Sequence, residues 1–103
     1  MDYNIIVTRT AEIELDDIVI YISNHLENRQ AATDFLNKIE VCYARLTDNP
    51  FMYKECEDIN LKNNGYRKAV INNYIMIYRV DEIYKKVYIM HFFYGRRDYF
   101  NLI

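Results

Sequence analysis

Glycine and proline are nearly missing from this chain: Gly65, Gly95 and Pro50 are the only three among 103 residues. That scarcity leaves no room for a flexible linker or a low-complexity tail, and a chain of this length makes one domain, residues 1–103, around one core. Cysteine is as scarce. Cys42 and Cys56 are too few and too unpatterned for a disulfide framework, and no cysteine or histidine pair stands at zinc-ligand spacing, so no metal and no other cofactor is expected. Missing too are the basic and apolar regions of a signal peptide after Met1, and any apolar run near the length of a membrane span. The expectation is a protein of the reducing cytoplasm with no membrane partner. A Ser-His-Asp spacing and a phosphate loop are likewise absent.

What is present is a composition that is 51% hydrophobic and 27% charged, that of a folded chain. The net charge of −2 conceals a division at Asn60. Residues 1–60 carry five Lys/Arg against twelve Asp/Glu, whereas residues 61–103 carry eight against three. Opposite charge in the two halves suggests a basic side that meets an anionic partner, unless folding interleaves the halves and neutralises both.

Tyr3 to Thr8 is rich in β-branched residues and reads as a strand, after which Thr8 or Thr10 caps a helix. Glu12, Glu14, Asp16 and Asp17 suit the positive end of the helix dipole, and Leu15, Ile18, Ile22 and Leu26 recur at helical spacing. The acidic run is read as a solvated helix start, since no further ligand accompanies it. A second helix runs from near Asn28 to about Thr47 with Ala32, Phe35, Ile39, Cys42 and Leu46 as its stripe, and Asp48-Asn49-Pro50 stops it. Phe51 to Asn64 reads as an irregular connector. Tyr66 to Ile71 and Tyr74 to Val80 flank an Asn72-Asn73 turn, and Val87 to Tyr94 returns after a second turn at Asp81 to Lys86. The fold class is therefore α+β: an N-terminal strand, an antiparallel helical hairpin, then a three-stranded antiparallel meander, β-α-α-β-β-β.

A register set by the Asn-Asn turn opposes Ile71 to Tyr74, Val70 to Ile75 and Lys68 to Ile77. Ala69, Ile71, Tyr74, Met76 and Tyr78 then share the face under the helices. Tyr66, Lys68, Val70, Ile75, Ile77 and Arg79 share the other, which is expected to be the working surface. Arg67 falls on the core side by strict alternation, so it either lies beyond the paired region or is re-aimed by a bulge. His91 is placed on the side of Val87, Ile89 and Phe93, where a histidine is more often packed than catalytic. His25 reads as a favourable cation near the end of the first helix.

The chemistry-bearing constellation is Arg67, Lys68, Arg79, Arg96 and Arg97, interleaved with Tyr66, Tyr94 and Tyr99, and seven of the eleven tyrosines lie after residue 60. Arginine forks grip phosphate bidentately and aromatic rings stack on unpaired bases, so such a surface can hold RNA. The plainer reading is that tyrosine favours strands and arginine decorates most sheets. Metal-free RNA cleavage needs a base, cations at the crowded phosphate and an acid. Arg67, Lys68, Arg96 and Arg97 could supply the charge and Tyr99 or His91 the proton transfer.

Tyr66-Arg67-Lys68, Asn72-Asn73-Tyr74-Ile75-Met76-Ile77-Tyr78-Arg79-Val80-Asp81, and Val87-Tyr88-Ile89 leading to Tyr94-Gly95-Arg96-Arg97-Asp98 resemble the RelE/ParE toxins of bacterial type II toxin-antitoxin modules over nearly the whole chain. The resemblance implies a cytoplasmic toxin held in a hetero-oligomer by a cognate antitoxin, whose extended or helical segment covers the toxin's sheet or helices. RelE-type members cut messenger RNA on the ribosome. By resemblance, Arg97 matches the family's C-terminal arginine, Tyr99 lies near its tyrosine, and Arg67 and Lys68 loosely match a lysine pair. With the residue chemistry above, Arg97, Tyr99, Arg67 and His91 are the candidate catalytic residues, and Lys68, Arg79, Arg96, Tyr66 and Tyr94 the candidate nucleic-acid or target contacts. The cleaving members also carry an arginine just after the tyrosine that opens the middle strand, where this chain has Ile75. ParE-type members look like inhibitors that bind DNA gyrase without cleavage, and a degenerate member would bind only its antitoxin.

Overall fold

The computed structural model describes residues 2–95. Strand β1 (Asn4–Val7) ends at Thr8, whose extended backbone and Oγ1, accepting from Ala11 N at 3.2 Å, start helix α1 (Arg9–Ile20). The same hydroxyl donates to the Ile89 carbonyl at 2.8 Å, so the cap also fastens the helix to the last strand. A π-helical turn at Tyr21–His25 follows. Its wider turn explains one departure from the expected stripe: Ile22 is buried, but the 3.6-residue phase slips beyond it and Leu26 is turned out, 57% exposed. Helix α2 (Arg29–Asp48) opens on Asn28, which accepts from Ala31 N at 3.0 Å, and buries Ala32, Phe35, Ile39, Cys42 and Leu46, the stripe that its spacing predicts.

The connector is not wholly irregular. Lys54–Glu55 forms a short strand β2, and Ile59–Asn63 a short helix α3 capped by Asp58. Both are too short to leave a readable period. Strands β3 (Tyr66–Ile71), β4 (Tyr74–Asp81) and β5 (Lys86–Tyr94) make the expected meander, with the expected pairing of Ile71 to Tyr74, Val70 to Ile75 and Lys68 to Ile77. Asn72 takes the left-handed conformation, φ 56°, that the two-residue turn requires.

The sheet order is β1-β5-β4-β3-β2. All neighbours are antiparallel except β1 and β5, which run parallel, so the sheet is mixed. The helical hairpin is the crossover that a parallel neighbour requires. Helices α1 and α2 cover one face, where Phe35, Ile39, Leu46, Met76, Tyr78, Val87 and Ile89 form the main core. On the other face Ile75, Ile77, Phe93 and Cys56 form a second, smaller cluster with Leu61 and Tyr66 against it. The face expected to work as an open surface is therefore closed over its centre by the β2–α3 connector.

One irregularity redirects a candidate residue. Ile77 pairs with His91 but Tyr78 pairs with Ile89, so Met90 is an extra residue on β5. Such a bulge reverses the alternation. Val87 and Ile89 point into the main core, whereas His91 and Phe93 lie on the opposite face, which corrects the expectation that all four share a side.

Candidate functional surface of the sheet

At the end of the sheet where β3 begins and β4 ends, Arg79 stands opposite Tyr66 on one neighbour and Tyr88 on the other. Its guanidinium lies 5.0 Å from the Tyr88 ring centroid. Stacking of this kind holds a guanidinium flat and leaves its edge available for an anion. Lys86 shares the face through its pairing with Asp81, and Lys68 extends it one row along β3. Of the residues selected from sequence, Tyr66, Lys68 and Arg79 are thus brought together, with Tyr88 and Lys86 as members that sequence reasoning missed. Their signal was the alternation of β5 before the bulge, Lys86 and Tyr88 outward and Val87 and Ile89 inward.

Lys68 is not solvated freely: Glu57 Oε1 lies 3.9 Å from its Nζ, and Lys54 stands directly opposite on β2. The charges of the two halves therefore partly interleave, since Lys54, Glu55 and Glu57 return from the acidic half to the margin of β3.

Arg67 lies apart. It pairs with Tyr78 inside the regular ladder, on the helix side as strict alternation requires, with neither a bulge nor a chain end to re-aim it. Its Nη1 donates to the carbonyls of Tyr53 at 2.7 Å and Phe51 at 3.3 Å, and its guanidinium covers the Phe51 ring at 5.1 Å. Those contacts make it a clamp on the loop after Pro50. Beside it the buried Tyr78 hydroxyl donates to the Pro50 carbonyl at 2.9 Å, and burial pushes that phenol well above its ordinary value, the Arg67 charge opposing the shift.

His91 is anchored rather than free. An ionised carboxylate only accepts, so the ring Nδ1–H donates to Glu14 Oε1 at 3.1 Å, and the same oxygen accepts the Phe92 N–H at 3.2 Å. Phe93 stacks on the imidazole with centroids 5.0 Å apart. Glu14 had read as one more acid of a solvated helix start. That reading suits the exposed Glu12, Asp16 and Asp17, but Glu14 sits beside Ala11 and Ile18 on the inward side of α1, a position its helical phase could have shown.

Tyr94 lies at the far end of β5, 47% exposed and edge-on to Tyr74 at 5.7 Å. Gly95 follows, its N–H donating to the Asn73 carbonyl at 2.7 Å; a Cβ there would come within 2.9 Å of that oxygen, so only glycine fits the close approach. Arg96, Arg97 and Tyr99 lie outside the described residues. His25 closes the π-helical turn, its ring 5.3 Å from Tyr21. Among the described residues, no group of three or more His, Cys, Asp or Glu side chains could hold a metal ion, and no helix is long and apolar enough to cross a membrane.

Comparison with solved structures finds the same arrangement elsewhere. The RelBE2 toxin-antitoxin complex from Mycobacterium tuberculosis matches with a TM-score of 0.64 and 18% identity, over 91% of this chain and 99% of that one. The chromosomal ParDE toxin-antitoxin system from P. aeruginosa matches with a TM-score of 0.70 and 17% identity, over 89% and 95%. No curated protein sequence matches the chain. These identities speak for a shared fold of strand, helical hairpin and meander. The family is shown by the match of residues 5–99 to the model of the ParE toxin of the type II toxin-antitoxin system parDE, which runs from β1 through the Tyr94-Gly95-Arg96-Arg97 segment. The chain belongs to this family of type II toxins.

Proposed function

We propose that this toxin arrests growth by holding a protein target, DNA gyrase, rather than by cutting messenger RNA. The observation that carries the reading is the environment of Ile75. It is 6% exposed, packed with Ile77, Phe93 and Cys56 in the second cluster, at the place where RNA-cleaving relatives have an arginine. A guanidinium aimed at a reacting phosphate is worth a few kcal/mol of transition-state stabilisation, and an apolar cluster supplies none. Arg67, the other cation expected there, is engaged with backbone carbonyls on the opposite face.

The toxin acts in the cytoplasm and is neutralised there by a cognate antitoxin in a hetero-oligomer. A groove between α2 and β3 supports the antitoxin reading. Lys38, Arg45, Val41 and Val70 line it, and β3 beyond Lys68 has no β2 partner, so an extended acidic segment would find backbone, apolar and cationic groups together.

The test is induction without the antitoxin, with transcript ends mapped and plasmid supercoiling measured in the same cells. Intact messages with relaxed plasmid are expected. Codon-phased cuts that vanish in Arg97→Ala would replace this reading with the ribosome-dependent nuclease.

A further inference from the structure

The β4–β5 turn carries the two most exposed large hydrophobic side chains of the described chain, Ile83 at 86% and Tyr84 at 71%. Single exposed apolar residues need no explanation, but a four-residue turn ordinarily spends its positions on polar residues and glycine. This turn is also held firmly. Asp81 Oδ1 accepts from both Ile83 N and Tyr84 N at 3.1 Å, Lys85 adopts φ 55°, and its carbonyl accepts from Asn4 N at 2.9 Å. The Lys85 ammonium sits over the Tyr3 ring at 5.1 Å. Two apolar side chains are therefore presented outward on a braced support. Beside them Ile83 and Phe51 flank a cleft of about 480 Å³ whose lining includes Arg67, Arg79 and Gly65.

We propose that Ile83 and Tyr84 form the knob by which the toxin docks into an apolar pocket on its folded protein target; this rests on the binding-inhibitor reading above. The shape selects the occupant. Both β4 and β5 have strand neighbours on each side, so no strand edge is open beside the turn to an extended peptide, and Ile83 and Tyr84 project outward as a knob. Charge selects it further. Asp81 and Glu82 precede the knob and Lys85 and Lys86 follow it, a rim of both signs that suits a protein surface and repels a uniformly anionic nucleic acid or lipid on its acidic side. The turn lies at the opposite end of β5 from Tyr94, and across the sheet from the α2–β3 groove, so target and antitoxin meet different parts of the molecule. Buried aromatic and aliphatic anchors of this kind carry most of the affinity of an interface.

The test compares wild type with the double variant Ile83→Ser, Tyr84→Ser and, as a control, Ile59→Ser, which removes an exposed apolar residue on α3. All three are assayed for growth arrest, for co-purification with the antitoxin and for inhibition of purified DNA gyrase. The double variant is expected to keep its melting temperature and antitoxin complex, to lose growth arrest, and to need about 100-fold more protein for half-inhibition, while the control matches wild type. A folded double variant that arrests growth like wild type overturns the proposal, as does equal loss in the control. Wild-type arrest without gyrase inhibition refutes gyrase as the target, yet loss of that arrest in the double variant still supports the knob.

Discussion

Ile75 shows how much a single position decides. Ile75 is 6% exposed and packs with Ile77, Phe93 and Cys56 in the apolar cluster on the outer face of the sheet, so the substitution Ile75→Arg forces a charge into an apolar site. It is expected to cost about 3 kcal/mol or more, read as a fall in the urea midpoint, and to confer no RNA cleavage. Two buried tyrosines make a second contrast. Tyr78 donates to Pro50, whereas the Tyr43 hydroxyl finds no partner among the described residues. Tyr78→Phe should therefore cost about 1 kcal/mol, and Tyr43→Phe nothing or less than nothing. Burial raises both phenols above the ordinary 10.0, so the folded chain retains protons that the unfolded chain releases above that pH. The native state then binds more protons than the unfolded one, and stability falls as pH rises. Urea midpoints should be flat through neutral pH, decline above pH 10, and decline less steeply in either phenylalanine variant.

The element most altered by folding is α1. Along the sequence its acids form one run at the start of the helix, and the helix dipole distinguishes only Glu12, in the first turn, from the rest. Packing separates them: Glu14 alone reaches β5, where β1 has ended and the Phe92 N–H lacks a strand partner. The carboxylate stands in for the missing carbonyl and holds His91 at the same time. Glu14→Ala should cost about 1–3 kcal/mol by orphaning that N–H, and Glu14→Gln, which keeps an acceptor, less; thermal melts of the two variants read the difference. Helix α2, by contrast, was fully legible. Its five buried residues coincide with its apolar stripe because a regular 3.6-residue period survives uninterrupted from cap to proline. The stripe of α1 was legible only as far as the π-helical turn, which breaks the period.

Across the whole molecule the sheet separates two apolar clusters of unequal size, with Cys42 buried in the helix-side one and Cys56 in the other. The larger is sealed by α1 and α2. The smaller relies on a two-residue strand and a five-residue helix, and segments with so little support open locally before the chain unfolds. A thiol reagent under native conditions is therefore expected to label Cys56 before Cys42, measured on the two single Cys→Ser variants; equal rates would show that both clusters open only together.

The amino-acid sequence by itself determined the order of the long elements, the hairpin register, the cap of α1 to within Thr8 or Thr10, and the inward stripe of α2. Each of these follows from neighbours along the chain: a period, a turn dipeptide, a capping side chain. Only the tertiary structure decided that β1 joins the sheet in parallel beside β5, that Met90 bulges and turns His91 away from Val87 and Ile89, and that the connector closes over Ile75. It also decided that Arg67 clamps a loop while Arg79 lies stacked on Tyr88. These outcomes depend on groups brought together from distant parts of the chain, and no local pattern records which of two faces, or which of two arginines, packing will leave open.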